Sequence, residues 1–383
     1  MFRLTLATRL ALSMSLLATG AAAAKATDNA PLTQRKDPYF LQAQAQLQQR
    51  LKQTPNTNRA KNVILVVGDG MGFSTVTAAR IFEGQQRGVD GESNVLAWEA
   101  FPYLAAAKTY SADAQITDSA PSAVAMTTGV KTINDLMGLN HTAALNNCED
   151  QQTKAVTTLW EMAATLGMST GAVTTATITH ATPGATYAHI ANRDWESDAK
   201  MPADALAAGC RDIARQLVEM KYGNGLNVAM GGAVALNEAV KTIVGKVNLD
   251  ETLVIVTGDH SHTLTIAGYA KRGNPILGIS VGVDGKPRLG SDGKPYTTLG
   301  FANGPGGAIP LTERPALTME QTTAPDFIQP ALVPLKSETH GGEDLGIYAI
   351  GPWAHLFQGT VEENYTFHVM NYASRISERL SER

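Results

Sequence analysis

At 383 residues, 44% of them hydrophobic, the chain can hold one large α/β domain with insertions, or two domains, around an ample apolar core. A formal net charge of −4 gives no electrostatic reason for nucleic-acid binding or for a polybasic membrane surface.

The first residues read as a processing signal. Arg3 and Arg9 make a basic start, Leu10 to Leu17 is almost wholly apolar, and Ala21-Ala22-Ala23-Ala24 offers small residues for cleavage. A bilayer span needs about 20 apolar residues, so a removed export signal over 1–24 is expected, with a periplasmic or secreted protein as its consequence. Arg3 and Arg9 are not adjacent, which favours general secretion over a twin-arginine route. Two cysteines, Cys148 and Cys210, suit an oxidising compartment. They flank one helix–strand unit, so a disulfide between them is expected, with two unpaired buried thiols as the alternative.

Residues 25–60 are polar, carry one amphipathic helix around Phe40–Leu51, and lead into the domain. The core (61–265) opens with a strand at Asn62–Val67 and a helix at Ser74–Glu83. A second helix starts at Ser119, where Pro121 is tolerated in the first turn. A helix over Lys154–Leu166 ends at Gly167 and precedes a strand over Ser169–Ile178. A helix at Asp204–Met220, a strand at Leu226–Met230, a helix at Leu236–Val247 and a strand at Thr252–Thr257 follow. From 266 to 336 Gly and Pro become frequent and short β-like runs replace helices, as expected of a small inserted, crown-like β-rich subdomain. The core resumes over 337–383 with a buried strand at Leu345–Ile350 and a helix at Tyr365–Leu380. The expected fold is α/β: a doubly wound, mainly parallel sheet with helices on both faces.

Chemistry concentrates in a few patches. Val63-Ile64-Leu65-Val66-Val67 and Thr252 to Thr257 are unalternating apolar runs ending in Gly68-Asp69 and Gly258-Asp259. Such runs suit strands buried on both faces, and ligands of open α/β sheets gather at the carboxyl ends of the strands. Asp259-His260-Ser261-His262 and Glu338-Thr339-His340 add imidazoles to these carboxylates, a donor set for zinc or magnesium. Asp118-Ser119 supplies a hydroxyl nucleophile. Taken singly, Asp69 would read as a turn residue, Ser119 as a helix N-cap and Arg193 as a solvated charge. His141, His189, His355 and His368 read as structural.

Gly68-Asp69-Gly70-Met71-Gly72, Thr117-Asp118-Ser119-Ala120-Pro121-Ser122-Ala123, Thr179-His180-Ala181-Thr182-Pro183, Gly258-Asp259-His260-Ser261-His262 and Glu338-Thr339-His340-Gly341-Gly342-Glu343 together resemble, in order, the motifs of alkaline phosphatases. The resemblance covers nearly everything from Lys61 to the C-terminal helix. It implies hydrolysis of small phosphate monoesters through a phosphoserine at Ser119. It implies a zinc held by Asp69, Asp259 and His260, a second zinc on His340, and a magnesium touched by Asp69 and Thr182. Arg193, oriented by Asp118, would grip the phosphoryl oxygens. His180 and His262 would stand behind the metal ligands, hydrogen-bonding rather than binding. A homodimer is compatible with the resemblance.

One part of the family pattern is missing. Family members carry a magnesium-binding glutamate, then an Asp-x-x-x-His segment for the second zinc, between a Gly-Gly turn and the helix before Gly-Asp-His. Here Gly231-Gly232 runs straight into Ala233-Val234-Ala235-Leu236-Asn237-Glu238, without that motif. An internal deletion of a core strand and surface elements is expected, leaving His340 alone at the second zinc. Two readings follow: an active exported phosphatase, or a truncated member that binds phosphate and zinc but turns over poorly. A related phosphodiesterase or sulfatase would carry Thr or a modified Cys where Ser119 stands.

Overall fold

The computed structural model describes residues 33–231, 236–307 and 314–382, so the expected export signal lies outside the described residues. The chain divides into two compact units between Gln53 and Thr54. In the first, a helix over Pro38–Arg50 is capped by Asp37, whose carboxylate accepts the Tyr39 and Phe40 amides at 2.8 and 3.1 Å.

The second unit is built on a five-stranded sheet of β1 (Asn62–Gly68), β2 (Tyr103–Lys108), β3 (Thr252–Gly258), β4 (Leu345–Ile350) and β5 (Gly359–Glu362). The order is β1-β3-β4-β2-β5. β1 pairs with β3 and β2 with β5 in parallel, while β4 runs antiparallel to both of its neighbours. Four strands therefore share one direction and only β4 opposes them.

β3 shows why its sequence does not alternate. All seven of its residues are buried. Leu253 and Ile255 pack on one face with Leu159, Ala163, Phe367 and Met370, from α3 (Leu159–Thr165) and α5 (Tyr365–Ser374). Val254 and Val256 pack on the other with Val76 of α1 (Phe73–Gln86) and Val240 of α4 (Leu236–Lys246). Helices thus cover both faces, and each buried aliphatic side chain contributes about 1.5–3 kcal/mol. A separate apolar cluster includes Ala120 of α2 (Ser119–Thr128) and Cys210, which is bonded to Cys148 with the Cα atoms 5.4 Å apart.

Several element boundaries differ from the sequence reading. α3 begins only at Leu159, because Thr158 and Glu161 form a capping box that starts the helix there. The helix expected over Asp204–Met220 is two helices, Ala203–Ala207 and Ile213–Val218, separated by Gly209 at φ 81° and the bonded Cys210. Arg375, at φ 57°, splits the C-terminal helix after Ser374. β2, Tyr-Leu-Ala-Ala-Ala-Lys, was not foreseen, since its alanines favour helix in isolation.

The strand expected over Ser169–Ile178 contracts to Gly171–Val173. It pairs in parallel with Val228–Met230 as a two-stranded sheet apart from the central one. Within and beside the Gly- and Pro-rich region, Leu264–Ile266, Leu299–Gly304 and Ala331–Pro334 form a three-stranded sheet. No helix among the described residues is long and apolar enough to cross a membrane.

Candidate active site

The β1–β3 register decides where the site begins. Gly68 pairs with Gly258, so Asp69 and Asp259 leave the sheet side by side at the carboxyl end. Asp259 is fully buried, and one of its oxygens accepts the Gly70 amide at 2.9 Å and the His260 amide at 3.0 Å. Its other oxygen lies 3.4 Å from the Thr182 hydroxyl, which donates to it. The Asp69 side chain is half exposed. Gly70 sits at φ 67°, and a Cβ there would stand 2.1 Å from the His262 ring. Only glycine permits that approach.

Ser119 opens α2, a helix buried along its whole length. Its Oγ lies 3.0 Å from His260 Nε2. Asp118 is the N-cap: Oδ1 accepts the Ala120 amide at 2.7 Å and Arg193 Nη1 at 2.8 Å, and Oδ2 accepts the Asp135 amide at 2.6 Å. The second guanidinium arm of Arg193 reaches His180 Nε2 at 3.3 Å. Asp118 therefore starts the helix and aims the arginine at once. Asp135 escaped the sequence reading. It is left-handed at φ 67°, its carbonyl accepts the Arg193 amide at 2.8 Å, and burial, then the charge of Asp118, pushes its carboxyl above the usual range. No motif in the sequence points to it.

Three imidazoles meet beside Ser119. A short antiparallel pairing sets His340 opposite His262. The His260 and His340 rings stack with centroids 3.6 Å apart, and His262 stands edge-on to both at 5.5 and 5.7 Å. Every Nδ1 of the three faces an oxygen: Ser261 O at 3.1 Å, Glu338 Oε2 at 2.5 Å and Thr117 O at 3.0 Å for His260, His262 and His340 respectively. An Nδ1 that donates to an oxygen leaves Nε2 with its lone pair. Burial holds the His260 imidazole below its usual value, outweighing the neighbouring charge of Asp259. Burial acts to raise Glu338, but the Thr263 amide and hydroxyl and His262 hold it below the usual carboxylate range. Among the described residues, one group of potential metal ligands has all its ligand atoms within 4.8 Å of one another: Asp69, His260 and His262.

A hydroxyl at a helix start, a fixed guanidinium and a cluster of carboxylate and imidazole donors form the setting a phosphoryl group requires. The alkaline phosphatase family model matches residues 60–234 and 224–376, which is most of the chain. The chain belongs to the alkaline phosphatase family. It is 34% identical to the tissue-nonspecific isozyme of Gallus gallus over 472 aligned residues, covering 89% of this chain and 90% of the relative. The tissue-nonspecific isozyme of Homo sapiens is 32% identical, with 90% of each chain covered. Among solved structures, the Thermus thermophilus alkaline phosphatase superposes with a TM-score of 0.51 at 14% identity, covering 87% of this chain and 98% of that one. These relatives place the chain among hydrolases of phosphate monoesters. The alignment to the Gallus gallus alkaline phosphatase is longer than the 383 residues present here, so that relative carries residues with no counterpart in this chain. The two matched segments meet at 224–234, around Gly231-Gly232.

Proposed function

We propose that this chain hydrolyses phosphate monoesters through transient phosphorylation of Ser119. The observation that carries the reading is the Ser119 hydroxyl, buried at the start of α2, 3.0 Å from His260 Nε2 and flanked by the Asp118–Arg193 pair. In the first half-reaction Ser119 Oγ gives up its proton to solvent and bonds to phosphorus as the ester P–O bond breaks, and the departing oxygen takes a proton from solvent. In the second, water bonds to phosphorus, Ser119 Oγ leaves and regains a proton, and inorganic phosphate departs. The positive end of the α2 dipole favours the phosphoryl oxygens, and Arg193 grips two of them in a geometry that Asp118 fixes.

When bound, zinc would supply the Lewis acid that lowers the hydroxyl pKa and offsets charge on the leaving oxygen. The donors here suit zinc, which takes imidazole nitrogen and carboxylate oxygen. Family resemblance assigns Asp69, Asp259 and His260 to the ion beside Ser119 and His340 to a second. Asp69 and Thr182 are the oxygens left for magnesium, a thin set for an ion that takes six, and the Thr182 hydroxyl is turned to Asp259. His180 orients Arg193. An exported location, periplasmic or secreted, belongs to this proposal and is supported by the Cys148–Cys210 bond.

A second reading, phosphate and zinc binding with weak turnover, is favoured by one observation: the family model matches in two segments that meet at 224–234, around Gly231-Gly232, where the family's Asp-x-x-x-His segment is missing from the sequence. Turnover of a phenyl phosphate, with labelled phosphate trapped on the protein at low pH, tests both. Label on Ser119 that disappears in Ser119→Ala supports the first reading. Label that persists in Ser119→Ala ends it. Label with turnover several powers of ten below the relatives supports the second.

A further inference from the structure

We propose that Asp135 sets the affinity of the site for phosphate: its backbone fixes the Asp118–Arg193 pair, and its carboxylate competes with the phosphoryl group for the guanidinium. The inference rests on the phosphatase reading and adds to that site a positioning residue that acts through Arg193.

Asp118 takes three donors, and Asp135 supplies one of them. Its amide meets Oδ2 at 2.6 Å, while the Ala120 amide and Arg193 Nη1 share Oδ1 at 2.7 and 2.8 Å. In the other direction, the Asp135 carbonyl accepts the Arg193 amide at 2.8 Å. One residue therefore grips both the carboxylate that aims the guanidinium and the main chain that carries it. Both bonds leave from a left-handed residue at φ 67°. Aspartate and asparagine tolerate that conformation and glycine adopts it freely, but a β-branched residue does not. Strain of this kind is kept where the surroundings use it.

The Asp135 carboxyl is half-buried and accepts no hydrogen bond among the described residues. Burial and then the charge of Asp118 raise it, Arg193 pulls it back, and Asp194 and Asp113 add further opposition. Asp113 is fixed at the same margin, accepting the Asn134 amide at 3.0 Å. The Asp135 group thus shares the field of Arg193 without being bonded to it. A dianionic phosphoryl group arriving at the guanidinium meets a charge of its own sign, which weakens its hold. Product phosphate is released the more readily for it.

Calorimetry with inorganic phosphate on the intact zinc-loaded chain, at about pH 9 where carboxyls carry their charge, reads this affinity directly. Asp135→Asn and Asp135→Gly keep the turn and remove the charge. Each should tighten phosphate roughly 3- to 10-fold at low salt, with the gain shrinking at high salt and KM for a phenyl phosphate falling in step. Asp135→Val cannot hold the turn and should weaken phosphate about 10-fold or more, with little further loss when added to Arg193→Ala. If the valine variant does not fold, the other two decide. Affinity within about 1.5-fold of native in both, or a gain that salt leaves untouched, overturns the proposal. A folded valine variant with native affinity overturns it too. The phosphatase reading is judged separately: labelled Ser119 with phosphate affinity unmoved removes the role of Asp135 alone, and tighter phosphate without label removes the function alone.

Discussion

Arg193 and His189 sit in the same stretch of chain and do different work. Arg193 is anchored on Asp118 at 2.8 Å with its other arm near His180, so it presents a planar fork in one orientation. Removing it deletes charged hydrogen bonds to the phosphoryl oxygens worth about 1.5–3 kcal/mol. Arg193→Ala should therefore weaken inhibition by inorganic phosphate roughly 10- to 150-fold, with Arg193→Lys recovering only part of the loss. Unchanged phosphate inhibition in the alanine variant would remove Arg193 from the site.

His189 has no role in the chemistry proposed here and is bound up in the core. Its Nε2 meets the buried Glu161 at 2.8 Å and its Nδ1 meets the Gly138 carbonyl at 2.8 Å. Burial alone would lower its pKa, but the Glu161 hydrogen bond and charge outweigh it and leave the imidazole above its usual value. A raised folded-state value means the pair contributes fully below about pH 6.5 and loses that contribution as pH rises through the raised value. His189→Ala should cost about 3–5 kcal/mol at pH 6, because Glu161 is left buried without its cation. Urea melts of both proteins at pH 6 and above 8 check it, and the gap should narrow at the higher pH.

At the scale of elements, the segment carrying His180 and Thr182 is moored from outside the site. Thr177 and Thr179 donate their hydroxyls to Glu196, which also meets Lys200 at 2.8 Å. Burial opposes ionisation, yet these three partners bring the Glu196 carboxyl down to about 2. The depressed value places its contribution above pH 4.5, to be lost as pH falls toward about 2. Glu196→Gln should therefore melt below the native chain at pH 6 and approach it near pH 2. A gap that stays constant between those limits would show that Glu196 does not moor this segment through its charge.

The elements also show what a sequence can and cannot disclose. β1 and β3 were readable because burial on both faces leaves an unbroken apolar run, and their terminal Gly-Asp pairs follow from register alone. The helix start at Ser119 was readable from Asp118 and Pro121. β2 was not, because Ala105, Ala106 and Ala107 carry no strand preference and form one only between β4 and β5. The Glu338–His262 bond joins residues 76 apart, and the Asp135 contacts depend on a left-handed turn that no neighbouring residue announces.

For the whole molecule, the join at Gly231-Gly232 matters most. Val228–Met230 pairs only with Gly171–Val173 among the described residues, and Val173, Val228 and Met230 are 61%, 46% and 56% exposed. Short apolar strands with open edges invite pairing with other chains. Light scattering should show concentration-dependent association of the native chain, reduced in the Val228→Lys, Met230→Lys double variant. Identical scattering from the two would mean that this edge is not the point of contact.

The distance along the chain between Asp69 and His340 has a temporal consequence. β1 cannot pair until β3 exists, 190 residues later, and His340 arrives near the carboxyl end. At ~5–20 residues per second, the nucleophile and the first carboxylate wait tens of seconds for their histidine partners. Pairings so remote form slowly once the chain is complete. During synthesis the amino-terminal half carries a hydroxyl and a carboxylate with no cluster to join, so an ion present early finds no assembled site. Loading of the ion beside Ser119 waits for Asp259 and His260, and a ribosome-stalled product ending before residue 259 should retain no tightly bound zinc.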